Sequence, residues 1–236
     1  MPLSGTYLVE VIETVPHDPT AYTQGLELDG DRLLETTGLY GQSQRRWIDP
    51  SSGDVVASVE LPDEFFGEGA TVVNGDVLQL TWQAETLLVT DADTLVETGR
   101  GSYDGEGWGL CFDGQHVIMS NGSATLTVRD PASFEVVRSV VVVDGNGDPV
   151  DRLNELECVG DQVLANVYGL DSIAVIDPTT GSVAATIDAS VLRPANAPAD
   201  DFDYVLNGIA HKADTDTYYL TGKWWDVLYE VRLVES

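Results

Sequence analysis

Five short segments of this chain begin alike, with a polar or aromatic residue, usually followed by glycine, and then a short apolar run. They are 24–28 (QGLEL), 68–72 (EGATV), 108–112 (WGLCF), 154–158 (NELEC) and 207–211 (NGIAH), separated by steps of 44, 40, 46 and 53 residues. A period of roughly 40–50 residues filled with strand-like sequence marks a β-propeller, in which equivalent positions of successive blades meet around one axis. Five such repeats use nearly all of the 236 residues, so one domain spanning 1–236 is expected. The expected fold class is therefore all-β, a five-bladed propeller. Gln24, Glu68, Trp108, Asn154 and Asn207 should then form a ring in space.

Within each repeat the pattern recurs. The apolar strand after the ring residue runs into a hairpin turn such as 29–30 (DG), 74–75 (NG) or 113–114 (DG). A second apolar strand ends in a small polar group. A third strand runs into turns rich in Asp, Pro and Gly, as in 47–53 (WIDPSSG) and 175–181 (VIDPTTG), and a fourth follows. The last repeat stops after its third strand, 228–233, while the chain opens with a strand, 7–12, that belongs to no repeat. The economical solution has this N-terminal strand complete the last blade, which also removes an exposed sheet edge. No helix of useful length is expected, and 194–203 reads as a loop over one face.

The charge of the chain narrows its partners. With 40 acidic and 11 basic residues the net charge is −29, which excludes the basic stripe that nucleic acid requires. No apolar run reaches the roughly 18–20 residues of a membrane helix. Residues 1–4 do not begin a signal peptide. Only two lysines occur, and Lys223 stands at a strand end among Gly and Trp. Cys111 and Cys158 occupy matching places in two repeats. They read as two buried thiols, with a disulfide between neighbouring inner strands left open. His17, His116 and His211 lack metal-ligand spacing and read as surface or loop residues. Residues 144–149 (DGNGDP), with Glu155 at the twelfth place, match most of a calcium loop but put Pro149 where the sharp turn needs glycine. They read as a hairpin loop. The acceptor pattern at 121–123 (NGS) reads as an accidental match.

Two layers of residues should converge at one end of the axis: the ring, and residues ending the next strands, namely Trp82, Asn121, Tyr168 and Lys223. Tyr22 and Phe66 lie two residues before ring positions, so strand alternation puts them on the same face. Together these form an aromatic-walled pocket with one carboxylate, one ammonium and several amides. Glu68 stands between two glycines at a strand mouth, where burying a carboxylate is costly.

At these residues the chain resembles the plant and bacterial type of glutaminyl-peptide cyclotransferase, a family of five-bladed propellers. The likeness is carried, in order, by 16–26 (PHDPTAYTQGL), 37–41 (TGLYG), 66–69 (FGEG), 79–82 (QLTW), 106–110 (EGWGL), 153–157 (LNELE), 165–167 (ANV), 206–210 (LNGIA) and 221–223 (TGK). The resemblance implies that the N-terminal glutamine of a peptide or protein cyclises to pyroglutamate with loss of ammonia. It implies Glu68, Lys223 and Asn154 as the catalytic set, with Glu68 moving the proton. Gln24, Tyr22, Phe66, Trp82, Trp108, Tyr168 and Asn207 are then substrate-binding. No metal and no cofactor is expected. Tyr22 stands where Phe is usual, Tyr168 where Trp is usual, and Asp226 where Pro is common. The partners implied are peptides or proteins beginning with Gln, acted on by a monomer, secreted or periplasmic with its signal removed. Two other readings stay open: a non-enzymatic propeller that binds a small ligand or peptide, and a hydrolase or lactonase holding a metal through Glu68, Asn154 and Asn207.

Overall fold

The computed structural model describes residues 2–195, 197–198 and 202–236. Twenty strands and a single 3-10 turn, Ser190–Leu192, account for the regular structure among them. The stretch read as a loop at 194–203 falls partly outside the described residues.

Three sheets of four antiparallel strands follow one another in the chain. After an opening strand, β1 (Gly5–Pro16), the first sheet holds β2 (Thr23–Asp29), β3 (Arg32–Thr37), β4 (Gln44–Ile48) and β5 (Val55–Glu60). The second holds β6 (Gly67–Val73), β7 (Asp76–Thr81), β8 (Thr86–Asp91) and β9 (Glu97–Ser102). The third holds β10 (Leu110–Phe112), β11 (Val117–Met119), β12 (Thr125–Arg129) and β13 (Val136–Val141). The remaining strands are β14 (Leu153–Val159), β15 (Gln162–Val167), β16 (Ser172–Ile176), β17 (Val183–Asp188), β18 (Leu206–Lys212), β19 (Thr217–Gly222) and β20 (Val227–Glu235). Together with β1 they form one eight-stranded sheet, in the order β14-β15-β16-β17-β1-β20-β19-β18.

β1 is the joint of that large sheet. It pairs antiparallel with β20 from Tyr7↔Glu235 to Pro16↔Val227, with a bulge between Val11 and Glu13. This is the closing strand expected from the truncated last repeat. Its first residues also pair parallel with β17, from Gly5↔Ala185 to Leu8↔Asp188. That second partner has no signature in the sequence, because nothing local in a strand reports a parallel neighbour.

Burial falls from the first strand of each sheet to the last. β2, β6, β14 and β18 are buried on both faces over most of their length, and polar residues such as Gln24, Glu68, Asn154, Glu155 and Asn207 are buried in them along with the apolar ones. β5 is exposed from end to end, and β9 and β13 almost so. Side chains of neighbouring sheets interleave to form the core. Ile118, Leu126 and Val128 of the third sheet pack in one cluster with Leu156, Val163 and Ala174 of the large sheet.

The first strands approach so closely that no side chain fits between them. A Cβ on Gly69 would lie 2.7 Å from the Gly109 Cα, and one on Gly109 only 2.1 Å from the Asn154 carbonyl oxygen. This is why glycine follows the ring residue in the repeat. Strands packed this way have amides on the axis side with no ladder partner, and carboxylates take them. Glu155 accepts from the Leu26 and Ile209 amides, Glu157 from that of His211, and Glu27 from that of Val72. Burial raises all three acids, Glu27 to about 7. Glu155 therefore faces the axis, while Asp144 caps the amides of Asn146 and Asp148 in a hairpin loop.

Two expectations are corrected. Cys111 on β10 and Cys158 on β14 form a disulfide, their Cα atoms 5.4 Å apart, rather than two thiols. Equivalent places on adjacent inner strands bring the two sulfurs together. His17 lies in the loop after β1, but it is buried rather than at the surface. Its Nδ1 donates to the Trp225 carbonyl at 2.7 Å and its Nε2 to Glu35 at 2.9 Å, which makes it an imidazolium. Burial alone would lower its pKa, but Glu35 and that carbonyl outweigh burial and raise it. Glu35 also takes Arg46 Nε at 2.7 Å, and Arg46 reaches Asp18 at 2.8 Å. The network ties the segment after β1 to the first sheet and to the turn before β20.

Replacing both cysteines by alanine should lower the unfolding free energy by about 2–4 kcal/mol, because the bond restrains the unfolded chain. Denaturant melts of the variant and of wild type in non-reducing buffer measure this; coincident curves would mean that the bond contributes nothing.

Candidate active site

At one end of the axis lies a cavity of about 360 Å³. Of the ring residues, Gln24, Glu68, Trp108 and Asn154 line it, joined by Tyr22, Phe66, Trp82, Tyr168 and Lys223. Asn207 does not reach the cavity. Fully buried, it donates to the Thr23 carbonyl at 2.9 Å and to Gln24 Oε1 at 3.4 Å, and so stands behind Gln24. Asn121 lies outside as well, exposed and turned onto Ser123. Leu39 and Asp203 also line the cavity, and neither carries a signal in the repeat pattern.

Four of the five ring residues sit on irregular backbone. The β2–β3 ladder slips between Thr23 and Gly25, the β6–β7 ladder between Gly67 and Ala70, and the β14–β15 and β18–β19 ladders between Leu153 and Leu156 and between Leu206 and Ile209. Gln24, Glu68, Asn154 and Asn207 all sit inside these slips. A bulge turns a side chain that alternation would send into the sheet toward the strand end instead.

The wall is a circuit of aromatic rings. Trp224, Tyr22, Phe66 and Trp82 meet edge to face in succession, with centroids 4.7, 5.9 and 5.5 Å apart. Across the gap from Trp82 to Trp108 the connection is made by a carboxylate. Glu106 accepts from both indoles, at 2.9 and 3.0 Å, and from Gln83 at 3.0 Å. Burial opposes its charge, yet these donors together hold its pKa below the usual carboxylate range. Trp108 then meets Tyr168 at 5.8 Å. Lys223 closes the circuit, its Nζ 4.2 Å from the Tyr22 ring and 5.4 Å from that of Tyr168.

The polar floor is buried. Gln24, Glu68, Asn154 and Lys223 are each at most 4% exposed. Lys223 Nζ donates to Gln24 Oε1 at 2.7 Å. No described residue hydrogen-bonds the Glu68 carboxylate. Burial pushes its pKa well above the usual value, Lys223 opposes this, and Glu106 adds to it. Burial lowers Lys223 to about 8, against the pull of Glu68 and Asp203. Asn154 Oδ1 is buried with no hydrogen-bond partner among the described residues. A raised acid, a lowered ammonium and an unmatched amide oxygen can move a proton and hold a second amide.

Known proteins resemble this chain in sequence and fold. Residues 3–233 match the family model described as glutamine cyclotransferase. A glutaminyl-peptide cyclotransferase of Arabidopsis thaliana is 37% identical over 235 residues, covering 97% of this chain and 72% of the relative. The crystal structure of Myxococcus xanthus glutaminyl cyclase superposes with a TM-score of 0.90 at 33% identity, over 98% of both chains. That match and the strand content make this an all-β protein of the same fold. Among the described residues no helix is long and apolar enough to cross a membrane.

Glu106→Ala should free both indoles and shift the tryptophan emission to longer wavelength, whereas Glu106→Gln, which keeps an acceptor, should shift it less. Emission from the alanine variant that overlays wild type would rule out the bridge.

Proposed function

The chain belongs to the glutamine cyclotransferase family, and on that premise we propose that it converts the N-terminal glutamine of peptides and proteins to pyroglutamate, releasing ammonia. The observation that carries the mechanism is Glu68: a buried carboxylate, raised in pKa, on the floor of the cavity beside the Lys223 ammonium.

Both reacting groups belong to one residue, so the pocket's first task is to fold the substrate side chain back on its own amine. Phe66, Trp82 and Trp108 supply the apolar contact. Asn154 Oδ1 accepts from the substrate's amide or amine, and Gln24 donates through its amide nitrogen, since Lys223 holds its oxygen. The neutral α-amine attacks the side-chain carbonyl carbon, forming the new C–N bond. The Glu68 carboxylate takes the amine proton and returns it to the side-chain nitrogen, which leaves as ammonia when the old C–N bond breaks. A raised pKa suits a group that must hold this proton midway. Lys223 has two further N–H donors for the oxygen that becomes negative. Every step falls to a side chain, so the reading needs no cofactor.

The architecture fits a five-bladed propeller in one domain over 1–236. Three blades are the separate sheets, and the eight-stranded sheet divides at the parallel β1–β17 pair into two sets of four. Export also fits. N-terminal glutamine arises where precursors are cut, and the Cys111–Cys158 bond belongs in an oxidising compartment.

Glu68→Gln should lower kcat for a Gln-dipeptide by about 10²–10⁴-fold while leaving the melting temperature unchanged. Ammonia release at the wild-type rate would refute the assignment, and ammonia release abolished by a chelator would favour the metal-dependent reading. In wild type kcat/KM should climb as Glu68 and the substrate amine lose their protons, then fall above about pH 8 as Lys223 loses its own. Lys223→Arg, which stays charged, should move that alkaline fall upward; a profile with the fall unmoved would remove Lys223 from the chemistry.

A further inference from the structure

The cavity holds a second carboxylate that the cyclisation does not use. Asp203 lines it near Tyr168 and Lys223, on the segment that leads into β18. The polar floor is buried, whereas Asp203 is partly exposed, so it lies nearer the mouth. Its carboxylate is held, because the Tyr168 hydroxyl donates to Asp203 Oδ1. Its charge is felt inside the site, where it acts on Lys223 alongside that of Glu68.

This placement bears on the second residue of the substrate. If the N-terminal glutamine occupies the floor, the rest of the peptide must leave through the mouth, past Asp203. The other charged residues lining the cavity, Glu68 and Lys223, are buried in its floor, so among the described lining residues Asp203 is the charged one that is partly exposed. A carboxylate fixed by a tyrosine hydroxyl against an aromatic wall favours a cation, because the ring faces and the charge attract the same partner. It disfavours an anion for the same reason.

We propose that Asp203, positioned by Tyr168, is a specificity-determining residue that selects peptides whose second residue is cationic. The inference rests on the cyclase reading and adds a substrate class to it. Tyr168 acts through Asp203 as a positioning residue, so removing its hydroxyl weakens the selection without deleting the charge.

The test compares kcat/KM for three amidated dipeptides, Gln-Arg, Gln-Ala and Gln-Glu. Wild type should prefer Gln-Arg over Gln-Ala by about ten-fold, as expected for one partly exposed charged contact, and should disfavour Gln-Glu by a similar factor. The difference should sit in KM and shrink as salt is added. Asp203→Asn should bring the Gln-Arg to Gln-Ala ratio to within about two-fold, and Tyr168→Phe should lower it part of the way. Asp203→Lys should invert the order and favour Gln-Glu. Thermal melts establish that each variant is folded, and the two Asp203 variants and Tyr168→Phe test the ratio independently. Equal turnover of all three peptides by wild type, or a ratio that survives in Asp203→Asn, overturns the inference while leaving the cyclase reading intact. No turnover of any of them overturns the cyclase reading itself.

Discussion

The structure depends on a contact between backbones. At the axis, strands of neighbouring sheets touch through Gly69, Gly109 and the Asn154 carbonyl, with no room for a Cβ between them. Close approach on this scale leaves the inner edges without strand partners, and buried amides left unpaired cost about 1–3 kcal/mol each. The chain answers with side chains. Glu155 spans to both Leu26 and Ile209, and Asn166 takes the Gly208 amide at 2.9 Å. A core lined with carboxylates would be unstable in most proteins. Here each of these acids is fixed by amides, and its raised pKa lets it carry a proton where the charge would be most costly.

The same crowding shapes the candidate site. An inner strand hemmed in on both faces can turn a side chain toward its end only by slipping out of register, and it does so at Gln24, Glu68 and Asn154. Burial then does to Glu68 what it does to the axial acids, with a different result. Glu155 has two backbone donors, whereas the Glu68 carboxylate faces an open cavity beside a lysine. Two glutamates buried alike thus diverge, one a strand cap and the other a group free to exchange its proton.

What could be read from the sequence is what repeats. Spacing brought Gln24, Glu68, Trp108 and Asn154 to one cavity, and a missing fourth strand pointed to the N-terminal strand as its substitute. Lys223 stood out because lysine is so scarce. What could not be read depends on partners far away in sequence. Glu106 looks like any acidic residue until two indoles from different sheets are seen to share it. Asp203 sits in an acidic stretch with no pattern. Asn207 fits the repeat perfectly, yet its amide is spent on Thr23 and Gln24. Asn121 ends its strand as Trp82 does, but an Asx turn onto Ser123 uses its side chain. For the cysteines, equivalence of position was visible and proximity was not.

The joint made by β1 also governs when the molecule can become whole. Tyr7 pairs with Glu235, so two strands far apart in sequence must find each other. A ribosome releases the first of these long before the last, and in the interval the emerging β1 has only β17 to lie against, once that has been made. The large sheet is therefore the part completed latest, by a closure between strands far apart in sequence, which is slow and entropically costly. Once it is made, opening the large sheet there requires losing the β1–β20 seam along its whole length. Such a molecule is slow to form and slow to come apart.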